Sequence, residues 1–155
     1  MFTLQAKQNI VIQGMNIVAD TNARSDVLIY TQSGSHDNNS LRNDEGWTLL
    51  YEGSIPDQQS KLYELDDFSE GVSIAAGQTQ SFYVFSRKGL MYTASNGKGT
   101  AYGEDSSIVI HEGRVTKGWF RRPLGGSGKW AGVIRYVESL FIFFSIYIVC
   151  RPLNS

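Results

Sequence analysis

Short runs of β-branched and aromatic residues recur along this chain, and clusters of Gly, Asn, Asp and Ser separate them. Clear examples are Val27–Thr31, Trp47–Tyr51, Ser81–Ser86 and Ser107–His111. No stretch before the last twenty residues carries a sustained apolar pattern at helical spacing. Because such runs are typical of β-strands, the pattern predicts an all-β fold with about nine or ten antiparallel strands. We expect these strands to form a two-sheet sandwich that is jelly-roll-like.

The run Thr79–Ser86 is apolar on both faces of the predicted strand. Phe82 and Val84 lie on one face, while Tyr83 and Phe85 lie on the other, because successive side chains of a strand point to opposite sides. A strand with two apolar faces belongs in the middle of a packed structure.

Turn residues predict how two other segments are organised. Gly14 separates Ile10–Ile12 from Met15–Ala19, which indicates two short strands. Val72–Ala75 precedes a turn that contains glycine, and we expect it to pair with Thr79–Ser86 as a hairpin.

Three polar or glycine-rich segments are predicted to be loops. They are Gln32–Gly46, Gly53–Phe68 and Arg121–Lys129. Within the second of them, Leu62 and Leu65 leave one helical turn or a short edge strand open. Ser, Asn, Asp and Gly favour local hydrogen bonds over strand ladders, so these segments are expected to connect strands.

The chain has 155 residues, which is enough for one domain that buries its own core. It contains 8 Tyr, 8 Phe and 3 Trp, and only 19% of its residues are charged, which argues against disorder. The 14 basic and 15 acidic residues are nearly balanced, and the densest basic spot, Lys117–Arg122, is short. We therefore expect no nucleic-acid partner. The single cysteine, Cys150, excludes an internal disulfide.

The predicted sandwich module covers residues 1–137, and an apolar tail at residues 138–155 breaks its pattern. As a helix, Leu140–Cys150 would span about 16 Å at about 1.5 Å per residue, against roughly 30 Å of hydrocarbon. Three interpretations stay open: an added strand, a short membrane anchor that brings residues 139–150 into contact with lipid, or an artefact of the gene model. The second implies a membrane-tethered structural domain.

The sequence contains few of the residues and motifs that enzymes use for catalysis. Only two histidines, His36 and His111, are present, and no Gly-x-Ser-x-Gly elbow occurs. We interpret both histidines as polar surface residues and predict that the protein is not an enzyme. The alternative is a glycan-active hydrolase that uses paired loop carboxylates, for which Asp37, Asp44 and Asp66 are the candidates.

Aromatic residues supply the candidates for ligand binding. Sugar-binding modules present flat aromatic rings to solvent, because the ring face packs against the C–H groups of a sugar. We expect Trp119 and Tyr102 to be exposed in this way, and Trp47 and Trp130 to pack in the core. We expect the ligand to bind either on a sheet face or on the loops Gln32–Gly46 and Gly113–Lys129.

The first of these loops also carries the polar candidates. Asp37 and Asn39 are predicted to contact a ligand. Asp37, Asp44 and Glu45 bring together hard oxygen ligands of the kind that calcium prefers, and no other cofactor is expected.

Two sequence signals bear on export. Asn38 begins an Asn-x-Ser glycosylation sequon in a predicted loop, which matters only for an exported protein. The segment Met1–Lys7 lacks the basic region and the long apolar core of a signal peptide.

The apolar positions form an array that extends along most of the chain. Its elements are Phe2-x-Leu4-x-Ala6, Ile10-x-Ile12-x-Gly14-Met15, Val27-x-Ile29-Tyr30-Thr31-x-x-Gly34-Ser35, Trp47-x-Leu49-Leu50, Ala76–Val84, Leu90-x-Tyr92-Thr93 and Trp130-Ala-Gly132-x-Ile134-x-Tyr136. This array resembles a repeated β-sandwich module of diatom and other algal secreted or cell-surface proteins. The similarity covers roughly residues 1–137, although Ala131 stands where such modules usually have Asn. The resemblance implies an extracellular, non-catalytic role in adhesion or carbohydrate binding, with a glycan or a protein surface as the partner.

Overall fold

The computed structural model describes residues 1–21, 23–35, 44–56, 58–87, 90, 92–116, 119–120, 123–139 and 146–149, with the backbone alone at residues 20–21, 58–60, 123–125 and 146–149. Fourteen β-strands and no helices occur in these residues. The strands are β1 (Phe2–Ala6), β2 (Ile10–Thr21), β3 (Ser25–Ser33), β4 (Thr48–Ile55), β5 (Gln58–Glu64), β6 (Val72–Ile74), β7 (Thr79–Ser86), β8 (Tyr92–Thr93), β9 (Ala101–Glu104), β10 (Ile108–His111), β11 (Gly113–Thr116), β12 (Pro123–Trp130), β13 (Gly132–Glu138) and β14 (Ile146–Val149).

Two principal sheets form a β-sandwich, and every strand pair in them is antiparallel. The large sheet has six strands in the order β4-β3-β7-β1-β10-β9. The second sheet has the order β14-β13-β2-β5, and β6 also pairs with β2. A small third sheet has the order β11-β12-β8. The predicted all-β sandwich is confirmed, but it has more strands than the nine or ten expected, because several polar or glycine-rich segments also form strands.

The inward faces of the two principal sheets share one core, called the main core below. The large sheet contributes Phe2, Leu4, Ala6, Val27, Ile29, Ile55, Phe82, Val84, Ile108 and Ile110, and the second sheet contributes Ile10, Ile12, Met15, Ile17, Ala19, Tyr63, Ile74, Ile134 and Tyr136. Phe2 lies at the centre of the aromatic contacts, since its ring stacks on Phe82 at 5.4 Å and on Trp130 at 4.7 Å. The predicted burial of Trp47 and Trp130 is confirmed, with exposures of 8% and 7%. Trp130 belongs to the main core, whereas Trp47 belongs to a second cluster of buried residues.

Strand β7 is buried on both faces, as its sequence predicts. Phe82 and Val84 face the main core, where they are 0% and 8% exposed. Tyr83 points the other way and is 1% exposed, and Phe85 is half-buried on that outer face. Because β7 lies between β3 and β1, it is an interior strand of the large sheet.

Strand β2 is continuous, so the predicted break at Gly14 is wrong. In the pairing with β13, Arg135 is opposite Gly14 and Tyr136 is opposite Ile12, which leaves Gln13 as an extra residue in a β-bulge. The bulge moves the inward side chains from even to odd positions. Both halves of β2 therefore face the same core although their sequence alternation is out of phase.

Gly14 also makes room for a long side chain. A Cβ atom at this position would overlap the guanidinium group of Arg135. That group donates a hydrogen bond to Leu65 O at 2.8 Å and pairs with Asp67 Oδ1 at 2.7 Å. Arg135 thus attaches the connection after β5 to the outer side of the second sheet.

Other predictions about strands are corrected by the pairing. Val72–Ile74 pairs with β2 rather than with β7, so the predicted hairpin is wrong. The predicted loop Gly53–Phe68 contains the end of β4 and all of β5, which pairs with β2 at the edge of the second sheet. The alternative of a short edge strand around Leu62 is therefore confirmed. The predicted loop Arg121–Lys129 contains most of β12, where a Cβ atom at Gly128 would lie 3.0 Å from Val115 Cγ2. Here glycine permits close packing between strands.

In the apolar tail, the structure describes Glu138, Ser139 and strand β14. Residues Ile146–Val149 pair antiparallel with β13, on the edge opposite β2. No membrane-spanning helix is found in the described part of the chain.

A buried carboxylate lies where the chain passes from the large sheet to the small one. Glu112, between β10 and β11, is 0% exposed. Its carboxylate accepts hydrogen bonds from Ser95 Oγ, from Asn96 N at 3.0 Å and from Gly97 N at 3.1 Å, and Lys129 Nζ lies 3.8 Å away. Burial raises the pKa of Glu112, but these hydrogen bonds and the Lys129 charge outweigh it and hold the pKa below the usual 4.5.

Truncation of a buried side chain on β7, the strand buried on both faces, tests this packing. We expect Phe82→Ala to lower the free energy of unfolding by about 3–5 kcal/mol, because it leaves a cavity in the main core. Leu62→Ala is the control, since Leu62 is 46% exposed and its loss should cost roughly 0.5 kcal/mol. Urea unfolding measures both, and equal losses would contradict the assigned orientation of β7.

The Glu112 carboxylate gives stability a defined pH dependence. Its pKa is lower in the folded than in the unfolded chain, so its contribution is complete above pH 4.5 and is lost as the pH falls through the folded value. Urea midpoints measured from about pH 6 to about pH 3 should fall less steeply for Glu112→Gln than for the wild type. A wild-type slope in Glu112→Gln would contradict this role of the carboxylate.

Candidate functional site

A second group of aromatic rings lies on the face of the large sheet that points away from the main core. Tyr30 on β3 and Tyr83 on β7 are cross-strand partners on this face. Trp47 and Phe120 cover them from two different loops. We call these four residues the outer aromatic cluster.

Ring contacts connect all members of the outer aromatic cluster. Phe120 stacks on Tyr83 at 4.5 Å and meets Tyr30 edge-on at 5.2 Å. Trp47 lies 6.1 Å from Tyr83 and 5.9 Å from Phe120. Each aromatic pair contributes about 0.5–1.5 kcal/mol beyond simple burial, so the cluster fixes both loops to the sheet.

Phe120 occupies a backbone conformation that is unusual for its type. Its φ angle is +41°, a left-handed conformation that costs a bulky residue about 1–3 kcal/mol. Its backbone N–H donates a hydrogen bond to Tyr83 Oη at 2.9 Å, and Tyr83 Oη is also 3.3 Å from Thr116 Oγ1. Burial, the largest effect, raises the pKa of Tyr83, so its hydroxyl stays protonated at neutral pH. The stacking and hydrogen bonds offset the strain.

The turn at Phe120 has a direct consequence for its neighbour. Phe120 points inward to the cluster, while Trp119 is 47% exposed. The Trp119 ring meets the Phe120 ring at 5.7 Å and 69°, which is an edge-to-face contact. Trp119 is therefore an exposed aromatic ring on a turn that the buried cluster holds in place, and its predicted exposure is confirmed.

The loop that precedes β4 also contacts the outer aromatic cluster. Trp47 N donates a hydrogen bond to Asp44 O at 3.0 Å, which closes a turn that carries the exposed residues Asp44 and Glu45. Because the Trp47 ring contacts Phe120, this turn and the Trp119 turn lie on one surface. The two loops that the sequence assigns to ligand binding are thus brought together by their aromatic residues.

Two buried polar atoms in this region have no hydrogen-bond partner among the residues that the structure describes. They are Trp47 Nε1, on a side chain that is more than nine-tenths buried, and Gln32 Oε1. Gln32 lies against the same turn, since a Cβ atom at Gly46 would be 2.7 Å from Gln32 Nε2. Unpaired buried donors and acceptors are uncommon in folded proteins, which marks this turn as incomplete by itself.

Apolar area extends beyond the cluster along the edge strand. Leu49 on β4 is the cross-strand partner of Tyr30, and it is 46% exposed. Its neighbour Thr48 is exposed as well. The candidate site therefore combines exposed apolar side chains with hydroxyl and carboxylate groups around them.

The structure does not bring the other predicted residues to this surface. Tyr102 on β9 was expected to be exposed, and this is wrong: it is half-buried, packs against the main core and donates a hydrogen bond to Trp130 O at 3.2 Å. Asp37, Asn38 and Asn39 lie outside the described residues. Among the residues that are described, no three His, Cys, Asp or Glu side chains group together as metal ligands.

Tyr30, Tyr83 and Phe120 were not predicted from the sequence to be parts of a site. The alternation along β7 contained a signal for Tyr83, since it places this ring opposite the main core. Nothing in the sequence indicated the positive φ of Phe120. Comparisons with protein-family models, curated protein sequences and solved structures found no match to this chain.

Substitutions in the two adjacent aromatic residues should have different effects. Phe120→Ala is expected to cost about 3 kcal/mol of unfolding free energy, because it removes the ring that joins both loops to the sheet. Trp119→Ala should cost about 1 kcal/mol or less, because nearly half of its side chain is already in water. Urea unfolding distinguishes the two, and a larger loss for Trp119→Ala would disprove the assigned roles.

Proposed function

We propose that this protein is a non-catalytic carbohydrate-binding module that acts at a cell surface or in the extracellular space. The observation that carries the proposal is the Trp119 ring, which is 47% exposed yet held by a turn anchored in the outer aromatic cluster. A ring held in this way presents its apolar face to a ligand at little cost in conformational entropy.

A sugar ring matches the chemistry of this surface. One face of a pyranose carries C–H groups that pack on an indole ring, while its hydroxyl groups lie at the edge. The exposed Asp44 and Glu45 supply carboxylate acceptors for hydroxyl groups near the Trp119 turn. The Trp119 ring supplies apolar contact, and hydrogen bonds to the Asp44 and Glu45 carboxylates orient the sugar.

The unpaired atoms at the Gly46 turn fit the same ligand class. Trp47 Nε1 is a donor and Gln32 Oε1 is an acceptor, and a hydroxyl group both accepts and donates. A sugar hydroxyl offers an acceptor of the kind that Trp47 Nε1 needs and a donor of the kind that Gln32 Oε1 needs. An apolar ligand satisfies neither of them.

Pre-organisation also supports binding. The Trp119 turn is strained at Phe120 and fixed by Tyr83, so a ligand does not have to order it. The resemblance to algal surface modules supports an extracellular setting, in which several weak sites on a repeated module give adhesion through multivalency.

A glycan array probed with the 155-residue chain tests the proposal. For a glycan that binds, we expect Trp119→Ala to weaken affinity by about 2 kcal/mol, or roughly 30-fold, as truncation of a central aromatic contact does. Tyr92→Ala is the matched control, since Tyr92 is 56% exposed but is not part of the outer aromatic cluster. Arrays run with calcium and with a chelator test the predicted calcium site.

Two results would contradict carbohydrate binding. One is the absence of any bound glycan on an array that covers neutral and anionic polysaccharides. The other is a binding curve for Trp119→Ala that superimposes on that of the wild type.

A further inference from the structure

The turn that Glu112 holds contains a reactive pair of residues. Asn96–Gly97 is the only Asn-Gly sequence in the chain. In such a pair the backbone nitrogen of the glycine can attack the side-chain amide of the asparagine, because glycine has no Cβ to obstruct the approach. Asn96 is exposed, and Gly97 has a φ of +129°, a conformation that favours glycine at this position.

Deamidation at this pair requires only water and no cofactor, oxidant or reductant. Gly97 N gives up its proton and attacks Asn96 Cγ, the bond from Cγ to the amide nitrogen breaks, and ammonia leaves. The product is a cyclic imide. Water then opens the ring at either carbonyl, which gives aspartate or isoaspartate at position 96.

The structure holds the attacking nitrogen in an unreactive state. Gly97 N donates hydrogen bonds to Ser95 Oγ at 2.9 Å and to Glu112 Oε2 at 3.1 Å. To attack, the nitrogen has to lose that proton and gain negative charge beside a buried carboxylate. Like charges at this separation repel strongly where water is excluded, so the carboxylate opposes the reaction.

The reaction is also incompatible with the contacts that surround it. An imide nitrogen carries no hydrogen, so both hydrogen bonds from Gly97 are lost. Ring opening then adds a carboxylate near Glu112, whose charge is balanced by Lys129 at 3.8 Å. The same Glu112 binds the turn through its backbone, since Gly99 N donates to Glu112 O at 3.0 Å and Glu112 N donates to Thr100 O at 2.8 Å.

We propose that Asn96 is a latent site of spontaneous deamidation that Ser95 and Glu112 keep unreactive in the folded protein, and whose reaction releases the Ser95–Thr100 turn from the β10–β11 junction. The modification is irreversible without repair, so it records any period in which the turn has been detached. The site is separate from the carbohydrate-binding surface and does not depend on it.

The test compares deamidation rates at Asn96 by peptide mass spectrometry at neutral pH. The folded wild type should react at least about tenfold more slowly than the same chain in urea, because a hydrogen bond to a charged group is worth about that factor. Glu112→Gln should react faster than the folded wild type, since it removes the charge but keeps the shape. Ile134→Val, a variant of the main core, is the control and should react as slowly as the wild type.

A second variant keeps the proposal testable if Glu112→Gln does not fold. Ser95→Ala removes one of the two acceptors of Gly97 N and should also accelerate the reaction. Equal deamidation rates for the wild type and for every folded variant at Glu112 or Ser95 would overturn the proposal. A folded wild type that reacts as fast as the chain in urea would also overturn it.

The release of the Ser95–Thr100 turn is tested separately, by thermal melting. Asn96→Asp introduces the charge of one product, and it should melt at a lower temperature than Asn96→Gln, with a difference that shrinks as salt is added. Identical melting temperatures for these two variants would overturn this second half of the proposal.

Discussion

The structure depends on the burial of β7 on both of its faces. Phe82 and Val84 help to close the main core, while Tyr83 provides the base on which the outer aromatic cluster is built. A sandwich ordinarily exposes one face of each sheet to water, and here part of that face is covered by two loops. The large sheet therefore supports both loops rigidly. Because Tyr83 fixes Phe120, it also fixes the position of the adjacent Trp119.

Much of the sandwich was predictable because its core strands are strongly apolar. The two-sided pattern of β7 was correctly interpreted, and so was the burial of Trp47 and Trp130. The strands that were missed carry weaker signals. β5 is a largely polar edge strand, paired with β2 alone among the described strands. β12 contains glycines that allow close approach between strands. Local composition indicates a loop in both cases, and only tertiary pairing makes them strands.

The candidate site was predictable in its components but not in its assembly. Trp119 and the two loops could be chosen from their composition and position. Their meeting point could not, because it depends on a positive φ at Phe120 and on a hydrogen bond from its backbone to Tyr83 Oη, which are products of the folded state. Tyr102 was misjudged because the short segment around it looks polar, while its ring packs against the main core.

The bulge at Gln13 makes β2 sensitive to changes in chain length. Its first half pairs with β6 and its second half with β5, and the extra residue keeps both halves in phase with one interior. Loss of a single codon there would turn either Ile10 and Ile12 or Met15, Ile17 and Ala19 toward water. Descendants of this gene that differ in length should therefore carry their insertions and deletions in the connecting loops and preserve the residue count of this strand.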